Sequence, residues 1–366
     1  MNTVFSKDFL KQNGAWLGFI ALAIVLSVWT SGDFLSARNL TNLIRQASLN
    51  GILATGMTMV ILTSGIDLSI GSLVALCGIF VGLGQVHWGL ADMGLTGLLI
   101  SFVISIIAGA LLGLLNGVFI AKLKLAPFVI TLGMMVIARG LAMIFSNGSS
   151  ISPMSEDLNT LASGYFAETS SSIFLVLFFA LCAYVLYKNK VAVGNFLFPL
   201  LAFGLFAQAF VRYKGIPYLA VFLFLSVGLT WVLLNRTVFG RNVYAIGSNE
   251  KGAYWAGVPI TKVKILVYVA MGLFSGLAAV LLSGRLNAAD PNAGQLFELD
   301  AIAAVVIGGV SLKGGRGSVL GSLIGALTMA TLSNGMDLLG VSSFYQMVFK
   351  GFIIVLAVSL DRNQRE

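Results

Sequence analysis

The stretch Leu95-Thr-Gly-Leu-Leu-Ile-Ser-Phe-Val-Ile-Ser-Ile-Ile-Ala-Gly-Ala-Leu-Leu-Gly-Leu-Leu-Asn-Gly-Val-Phe-Ile120 decides the fold class, because it carries no charged side chain over its whole length. Crossing the ~30 Å hydrocarbon core of a bilayer takes about 20 helical residues. This stretch is longer than that. It therefore predicts a helix that spans a membrane.

The rest of the chain has the same character. Apolar residues make up 58% of the 366 residues, charged residues make up 10%, and the mean hydropathy is +0.96. A soluble domain carries about 25% charged residues. The composition excludes an ordinary soluble protein and predicts an all-α polytopic membrane protein.

Twelve apolar segments are candidate spans, which predicts a helical bundle of about 12 transmembrane segments in a single domain, 1–366. They are 15–30, 45–62, 68–84, 95–120, 127–146, 172–187, 194–211, 217–234, 263–284, 299–310, 317–336 and 344–360. The segment 299–310 is too short to cross alone, which indicates a re-entrant or broken helix sheltered by protein. Residues 31–44 mix polar and apolar positions at helical spacing, which predicts an interfacial helix.

The basic residues indicate the topology. The net charge of +8 comes from lysines and arginines that are scattered singly between apolar runs, so they predict membrane orientation and no nucleic-acid partner. With the N-terminus in the cytoplasm and an even number of crossings, most of the 22 fall on the cytoplasmic side. Both termini are therefore predicted to be cytoplasmic.

Glycines at four-residue spacing mark the faces where helices are predicted to pack closely. They are Gly109, Gly113 and Gly117, then Gly272 and Gly276, then Gly317, Gly321 and Gly325. We assign these runs a packing role and no chemistry.

No enzyme is indicated. His87 is the single histidine, so a catalytic triad or a histidine-rich metal site has too few parts. The chain has no G-x-x-x-x-G-K-[ST] loop to hold ATP phosphates. We therefore predict no catalytic residue, no metal site and no cofactor in this chain.

Polar groups near or inside the spans leave alternatives open, because a buried charge in a bilayer is costly. Asp67 is either a gate or pathway group or the N-cap of the third span. Arg139 either lines a polar cavity or pairs with an acid such as Glu298 or Asp300, and Lys350 either snorkels or pairs locally. Asn50, Asn116 and Asn334 are either interhelical hydrogen-bonders or ligand-binding groups.

The loop 235–262 is the most distinctive segment between spans. Ser248 or Asn249 can cap a short helix from Glu250 to Ala256, which Gly257 and Pro259 end. The helix is predicted to present Ala253, Ala256 and either Tyr254 or Trp255. This indicates a plug for another protein, and the alternative is a merely interfacial amphipathic helix.

Several motifs in collinear order, from about residue 33 to residue 361, resemble the permeases of monosaccharide ABC importers, the ribose, galactose and xylose group. They are Phe34-Leu-Ser-Ala-Arg-Asn-Leu40, Arg45-Gln-Ala47, Gly51-Ile-Leu-Ala-Thr-Gly56, Gly65-Ile-Asp-Leu-Ser-Ile-Gly71, Gly247-Ser-Asn-Glu250, Ala256-Gly-Val258, Glu298-Leu-Asp-Ala-Ile-Ala-Ala304, Gly308-Gly-Val-Ser-Leu312, and Tyr345-Gln346 to Lys350-Gly351.

The resemblance implies an ABC importer permease fold, a type II-like ten-helix core with an extra hairpin at 188–214. That hairpin, Asn147-Gly-Ser-Ser-Ile-Ser-Pro153 and Tyr213-Lys-Gly-Ile-Pro217 look most like the D-xylose permease. Gly65 stands where a more xylose-like pattern would tolerate an acidic residue. Ribose, galactose or another sugar is the alternative substrate, and a proton-coupled secondary transporter is a further alternative function.

The resemblance also implies partners. It implies a homodimer in the bacterial cytoplasmic (inner) membrane, two ATP-binding subunits that use ATP and Mg, and a periplasmic or extracellular sugar-binding protein. The coupling helix to the ATPase then comprises Gly247, Ser248, Asn249, Glu250, Ala253, Tyr254, Ala256 and Gly257. The candidates for the pathway or its gate are Asn50, Asp67, Thr131, Arg139 and Asn334.

Overall fold

The computed structural model describes residues 7–167, 171–172 and 197–363, and these residues fold mainly into helices. The helices are α1 (Lys7–Trp29), α2 (Ala37–Leu62), α3 (Ile70–Gly82), α4 (Leu95–Ala121), α5 (Pro127–Phe145), α6 (Glu156–Ser163), α7 (Leu197–Arg212), α8 (Tyr218–Arg236), α9 (Val238–Ser248), α10 (Glu250–Trp255), α11 (Ile260–Leu286), α12 (Phe297–Ile307), α13 (Val319–Leu338) and α14 (Ser343–Asn363). A π-helical turn, Leu83–His87, continues α3. In these ranges the extended backbone is limited to two isolated bridges, Ile151 with Ala289 and Tyr165 with Pro217.

Six helices in the described part are long and apolar enough to cross a membrane, which confirms the polytopic membrane class. They are Ile70–His87, Leu95–Ala121, Pro127–Phe145, Tyr218–Arg236, Ile260–Leu286 and Val319–Leu338. The apolar parts of α1 and α14, Gly14–Trp29 and Ser343–Leu356, are shorter. Most of the predicted span 172–187 and residues 188–196 of the predicted hairpin lie outside the described residues, so the number of twelve crossings stays a prediction.

Helix α2 lies in the centre of the bundle. It packs against α7, α8, α11, α12 and α13, and nearly all of its residues from Asn39 onward are buried. The prediction of a separate interfacial helix at 31–44 is wrong, because α2 already begins at Ala37. The Ser36 side chain caps it by accepting a hydrogen bond from Asn39 N at 3.3 Å, and Leu43 is fully buried.

Helices α4 and α11 form the most extensive helix pair in the described chain. A side chain at Gly109 would collide with the backbone of Gly272, and Ser105 Oγ donates to Gly276 O at 2.8 Å. The close approach predicted from the glycine spacing is therefore confirmed for this pair. Gly317 departs from the prediction, since it precedes α13 and has a left-handed φ of +133°.

Helix α12 has 11 residues, which span about 16 Å and cannot cross a bilayer alone. Residues 300–306 are buried, and the helix packs against α2, α13 and α14. The segment is thus a short helix sheltered by protein, as its length predicted. Protein burial satisfies the condition that broken helices need at membrane depth.

Candidate functional site

The short helix α10 forms in the loop between α8 and α11. Asn249 Oδ1 accepts a hydrogen bond from Gly252 N at 3.0 Å and caps the first turn. Gly257 ends the segment in a left-handed conformation, with φ of +79°. Of the two predicted caps, the structure selects Asn249. Glu250 Oε1 also pairs with Lys264 Nζ at 2.8 Å, which ties α10 to α11.

The exposed surface of α10 is aromatic. Tyr254 is 66% exposed and Trp255 is 84% exposed, and Ala256 at the C-terminal cap is exposed as well. The prediction that Ala253 is presented is wrong, because Ala253 is 5% exposed. In a six-residue helix, one side has to pack on the bundle, and the small Ala253 occupies that side.

Gly247 and Ser248 belong to α9, and they interlock with the end of the central helix. A side chain at Gly247 would collide with Leu62 O and Gly315 N. Gly315 N in turn donates to Leu62 O at 3.0 Å, and a side chain at Gly315 would collide with Ser248. Three chain segments therefore meet without intervening side chains, so displacement of α9 has to displace the end of α2.

The turn at 63–69, which joins α2 to α3, extends this junction. Ser64 Oγ donates to Lys313 O at 2.6 Å, and Thr131 Oγ1 on α5 lies 3.3 Å from Ile66 O. Thr131 also donates to Pro127 O at 2.9 Å in its own helix and is buried. The turn is thus held from two sides, by the 311–317 segment and by α5.

Asp67 in this turn is fully buried. Its Oδ1 accepts hydrogen bonds from Ser69 N at 2.8 Å and Ser69 Oγ at 2.6 Å, and Ser69 Oγ accepts from Asn116 Nδ2 at 3.0 Å. This is an Asx turn just before α3. The N-cap prediction is wrong, because the N-cap position belongs to Ser69.

Burial also changes the acid strength of Asp67. Loss of hydration raises the pKa of its carboxyl group to about 6, against the lowering effect of the two bonds from Ser69. Within the described part of the chain, Asp67 Oδ2, Asn116 Oδ1 and Tyr268 OH are buried without a hydrogen-bond partner. The Tyr268 hydroxyl is the one donor among these three groups, and a proton on Asp67 Oδ2 would supply a second.

A polar strip runs along one side of α2. From Asn39 to Leu62, the residues that are not buried are Asn42, Arg45, Gln46 and Asn50. The amides at 42, 46 and 50 recur every four residues, so they share one helix face about 12 Å long. No hydrogen bond forms to these three side chains from other described residues. Arg45 Nη1 donates to Tyr165 OH at 3.2 Å.

This strip was found only in part from the sequence. Asn50 was predicted either to bind a ligand or to bond another helix, and the described structure shows no interhelical partner for it. Asn42 and Gln46 were missed. Their spacing with Asn50 was the available signal, but a polar face is informative only once the rest of the helix is known to be buried.

The embedded charges have other partners than those predicted. Arg139 Nη1 donates to the backbone carbonyls of Pro291 and Ala293, the second at 2.9 Å, and forms no ion pair with Glu298. Asp300 pairs with Lys350 Nζ at 2.9 Å. Of the two alternatives for Arg139, pairing with an acid such as Glu298 or Asp300 is therefore wrong, and the lining of a polar cavity stays a prediction. Lys350 pairs with an acid 50 positions away rather than locally.

Asn334 is an interhelical hydrogen-bonder. Asn334 Nδ2 donates to Asn39 Oδ1 at 2.9 Å, and Asn39 Nδ2 donates to Asn334 Oδ1 at 2.8 Å. Both residues are buried, so this reciprocal pair fastens α13 to the start of α2. The side-chain amide of Asn334 is thus already occupied by Asn39. A pathway role for Asn334 stays a prediction.

These features define a membrane-embedded permease: a bundle of membrane-length helices around a central helix, with a polar strip within it and a capped, exposed helix at one end. The chain belongs to the family described as "Branched-chain amino acid transport system / permease component", which matches residues 39–358.

Individual relatives extend over nearly the whole chain. The ribose import permease protein of Bacillus subtilis is 40% identical over 97% of this chain and 94% of its own length. The xylose transport system permease protein of Haemophilus influenzae is 37% identical over 96% of each chain. The ribose import permease protein of Escherichia coli is 36% identical over 99% of this chain and 97% of its own length. These relatives confirm the resemblance drawn from the motifs. No solved structure matches the chain.

Proposed function

We propose that this chain is the membrane-spanning permease subunit of an ATP-driven importer that carries a monosaccharide across the bacterial cytoplasmic membrane. The observation that carries the proposal is the exposed helix α10, whose neighbour α9 interlocks with the end of α2. Nucleotide-driven movement of a bound ATPase would then reach the core of the bundle as a rigid-body change. The ATP and Mg are used by that partner.

A pentose is the proposed substrate, and D-xylose is the specific expectation from the extra hairpin and the loop motifs. The names of the relatives support ribose equally, since the identities to ribose and xylose permeases are 40% and 37%. Uptake of labelled D-xylose and ribose, each in competition with the other, decides between them.

The proposed assembly contains two copies of this chain, two ATP-binding subunits and a sugar-binding protein on the outer side, with both termini of the permease in the cytoplasm. Its mass in a lipid nanodisc measures the copy number directly. A mass that fits one permease chain would overturn the homodimer.

The coupling assignment is tested by removing the exposed aromatic side chains of α10. In the double variant Tyr254→Ala and Trp255→Ala, co-purification of the co-expressed ATP-binding subunit is expected to fall at least tenfold, because buried aromatic anchors dominate such interfaces. Trp88→Ala is the matched control, since Trp88 is also exposed, at 56%, but lies beyond the far end of α3. Unchanged recovery of the ATPase in the double variant would remove the coupling assignment.

We further propose that the strip Asn42, Gln46 and Asn50 forms one wall of the sugar pathway. Unpaired amides can exchange hydrogen bonds with a neutral polyol, whereas a lipid-facing helix would not carry them. Gln46→Leu and Asn50→Leu are expected to lower sugar uptake in reconstituted vesicles several-fold while ATP hydrolysis persists. The matched control is Thr55→Val, which alters a buried residue of α2 whose hydroxyl bonds its own helix.

A further inference from the structure

A groove of about 530 Å³ lies beside α10, away from the polar strip. Residues from the end of α4, the start of α11 and the segment that joins α10 to α11 line it, and it is open to the surface. Its floor is apolar and consists of Val258, Pro259, Ile260, Ile265 and Leu266.

Its polar groups include two lysines. Lys122 is the first residue after α4, and Lys262 lies in the first turn of α11. In the ranges that the structure describes, neither lysine has a carboxylate within ion-pair distance, whereas the nearby Lys264 is paired with Glu250. The groove therefore carries two uncompensated positive charges beside an apolar floor.

The position of the groove fixes the kind of ligand. Lys122 follows one helix of membrane length and Lys262 lies in the first turn of another, so both lie at helix ends, at the level of the lipid head groups. Leu266 is 43% exposed and connects the groove floor with the outer surface of α11. Such a site fits a ligand with an anionic group at one end and a hydrocarbon chain at the other. Basic pockets at the cytoplasmic side of membrane helices bind anionic lipid head groups.

We propose that this groove binds one anionic phospholipid. The lipid phosphate lies between Lys122 and Lys262, and an acyl chain follows Ile265 and Leu266. Tyr254 of α10 also lines the groove, so the bound lipid contacts the helix that we assign to coupling. The lipid would hold α10 in place independently of any protein partner.

The test counts the lipids that stay bound to the purified full-length chain. Native mass spectrometry is run after reconstitution with phosphatidylglycerol or, as the neutral probe, phosphatidylcholine. We expect retained phosphatidylglycerol on the native chain and a loss of about tenfold or more in affinity in Lys122→Gln with Lys262→Gln, since each lysine near a membrane contributes about 1 kcal/mol. Thermal unfolding midpoints should rise with phosphatidylglycerol in the native chain and not in this variant.

The control variant, Lys251→Gln with Lys313→Gln, removes the same charge from exposed positions outside the groove. Equal loss of lipid in this control would overturn the proposal, because binding would then follow net charge alone. An equal rise of the unfolding midpoint with inorganic phosphate would also overturn it, by assigning the lysines to a free anion. Either result leaves the proposed sugar import untouched, since that proposal is tested by uptake and ATPase recovery.

Discussion

Asp67 is a buried carboxyl group at the turn where α2, α3 and the 311–317 segment meet. Its pKa of about 6 in the folded protein exceeds the value of about 3.9 expected in an unfolded chain. The folded state therefore holds the proton between these two values. The resulting stability is fully present below about pH 4 and is lost as the pH rises through about 6.

We predict that Asp67→Asn removes this pH dependence. The asparagine keeps an oxygen for Ser69 and supplies a donor for the unpaired oxygens around it. Relative to the native chain, the variant should gain about 3 kcal/mol in free energy of unfolding between about pH 4 and pH 8, because two pKa units correspond to that amount. Unfolding in detergent across this range measures it. Asp157→Asn, at an exposed carboxylate, is the control, and identical pH profiles for native chain and Asp67→Asn would refute the protonated state.

The partner of a residue was predictable where it lies close in sequence. Asn249 was one of the two predicted caps, beside Ser248, and it was predictable because its hydrogen bond reaches only three residues along the chain. Asp300 and Lys350 are 50 positions apart, and no local pattern indicates which acid a distant lysine meets. The same holds for Asn334 and Asn39, whose pairing depends on how α2 and α13 pack.

At the scale of helices, the ion pair between Asp300 and Lys350 joins α12 to α14. We predict that Lys350→Met destabilises the protein by about 3–5 kcal/mol, because it leaves a buried carboxylate without a partner. Adding Asp300→Asn should restore most of the loss. Thermal unfolding of the two variants measures both effects.

The control for this prediction is the pair of Lys264 and Glu250, whose carboxylate side chain is 53% exposed, whereas that of Asp300 is 7% exposed. Lys264→Met should cost less than about 1 kcal/mol, since surface ion pairs contribute little. If Lys350→Met lowered the free energy of unfolding no more than Lys264→Met does, the ion pair between α12 and α14 would not stabilise the protein as a buried pair.

The contact of α4 with α11 supports a second prediction for helices. Gly109→Ala should destabilise the bundle by about 1–3 kcal/mol, because the added methyl group meets backbone atoms of α11 that cannot move aside. Gly140→Ala on α5 meets open space and should raise stability by up to about 1 kcal/mol through helix propensity. Equal effects at both glycines would contradict the close packing.

Apolar runs in the sequence predicted the helix boundaries well where a helix has an apolar exposed side. They failed where polar side chains are buried among other helices. The spans at 95–120 and 127–146 agree closely with α4 and α5, whose exposed sides are apolar. Residues 31–44 misled the prediction because their polar groups suggested a membrane surface. Two of those groups, Asn39 and Thr41, are buried inside the bundle instead, and Asn39 bonds Asn334 there.

For the whole molecule, the interlocked ends of α9 and α2 predict how coupling fails. Gly247→Val should leave the ATP-binding subunit attached but lower sugar uptake per ATP hydrolysed at least tenfold, because the side chain forces α9 away from Leu62. Simultaneous assays of uptake and hydrolysis measure this ratio. Gly228→Val on α8 is the control, since nothing lies near that glycine. If uptake per ATP hydrolysed were unchanged in Gly247→Val, α9 would have no part in coupling hydrolysis to transport.

Helix α2 is long enough to cross a bilayer, yet it is too polar to rank among the six apolar helices of the described chain. It is also made before α8, α11 and α13, the neighbours that cover it. Its insertion during synthesis is therefore expected to stay reversible until those later helices arrive. Nascent chains that stop before α8 should leave α2 accessible to water-soluble thiol reagents at an introduced cysteine, and longer chains should protect it. The order of biogenesis then becomes part of how this sequence reaches its fold.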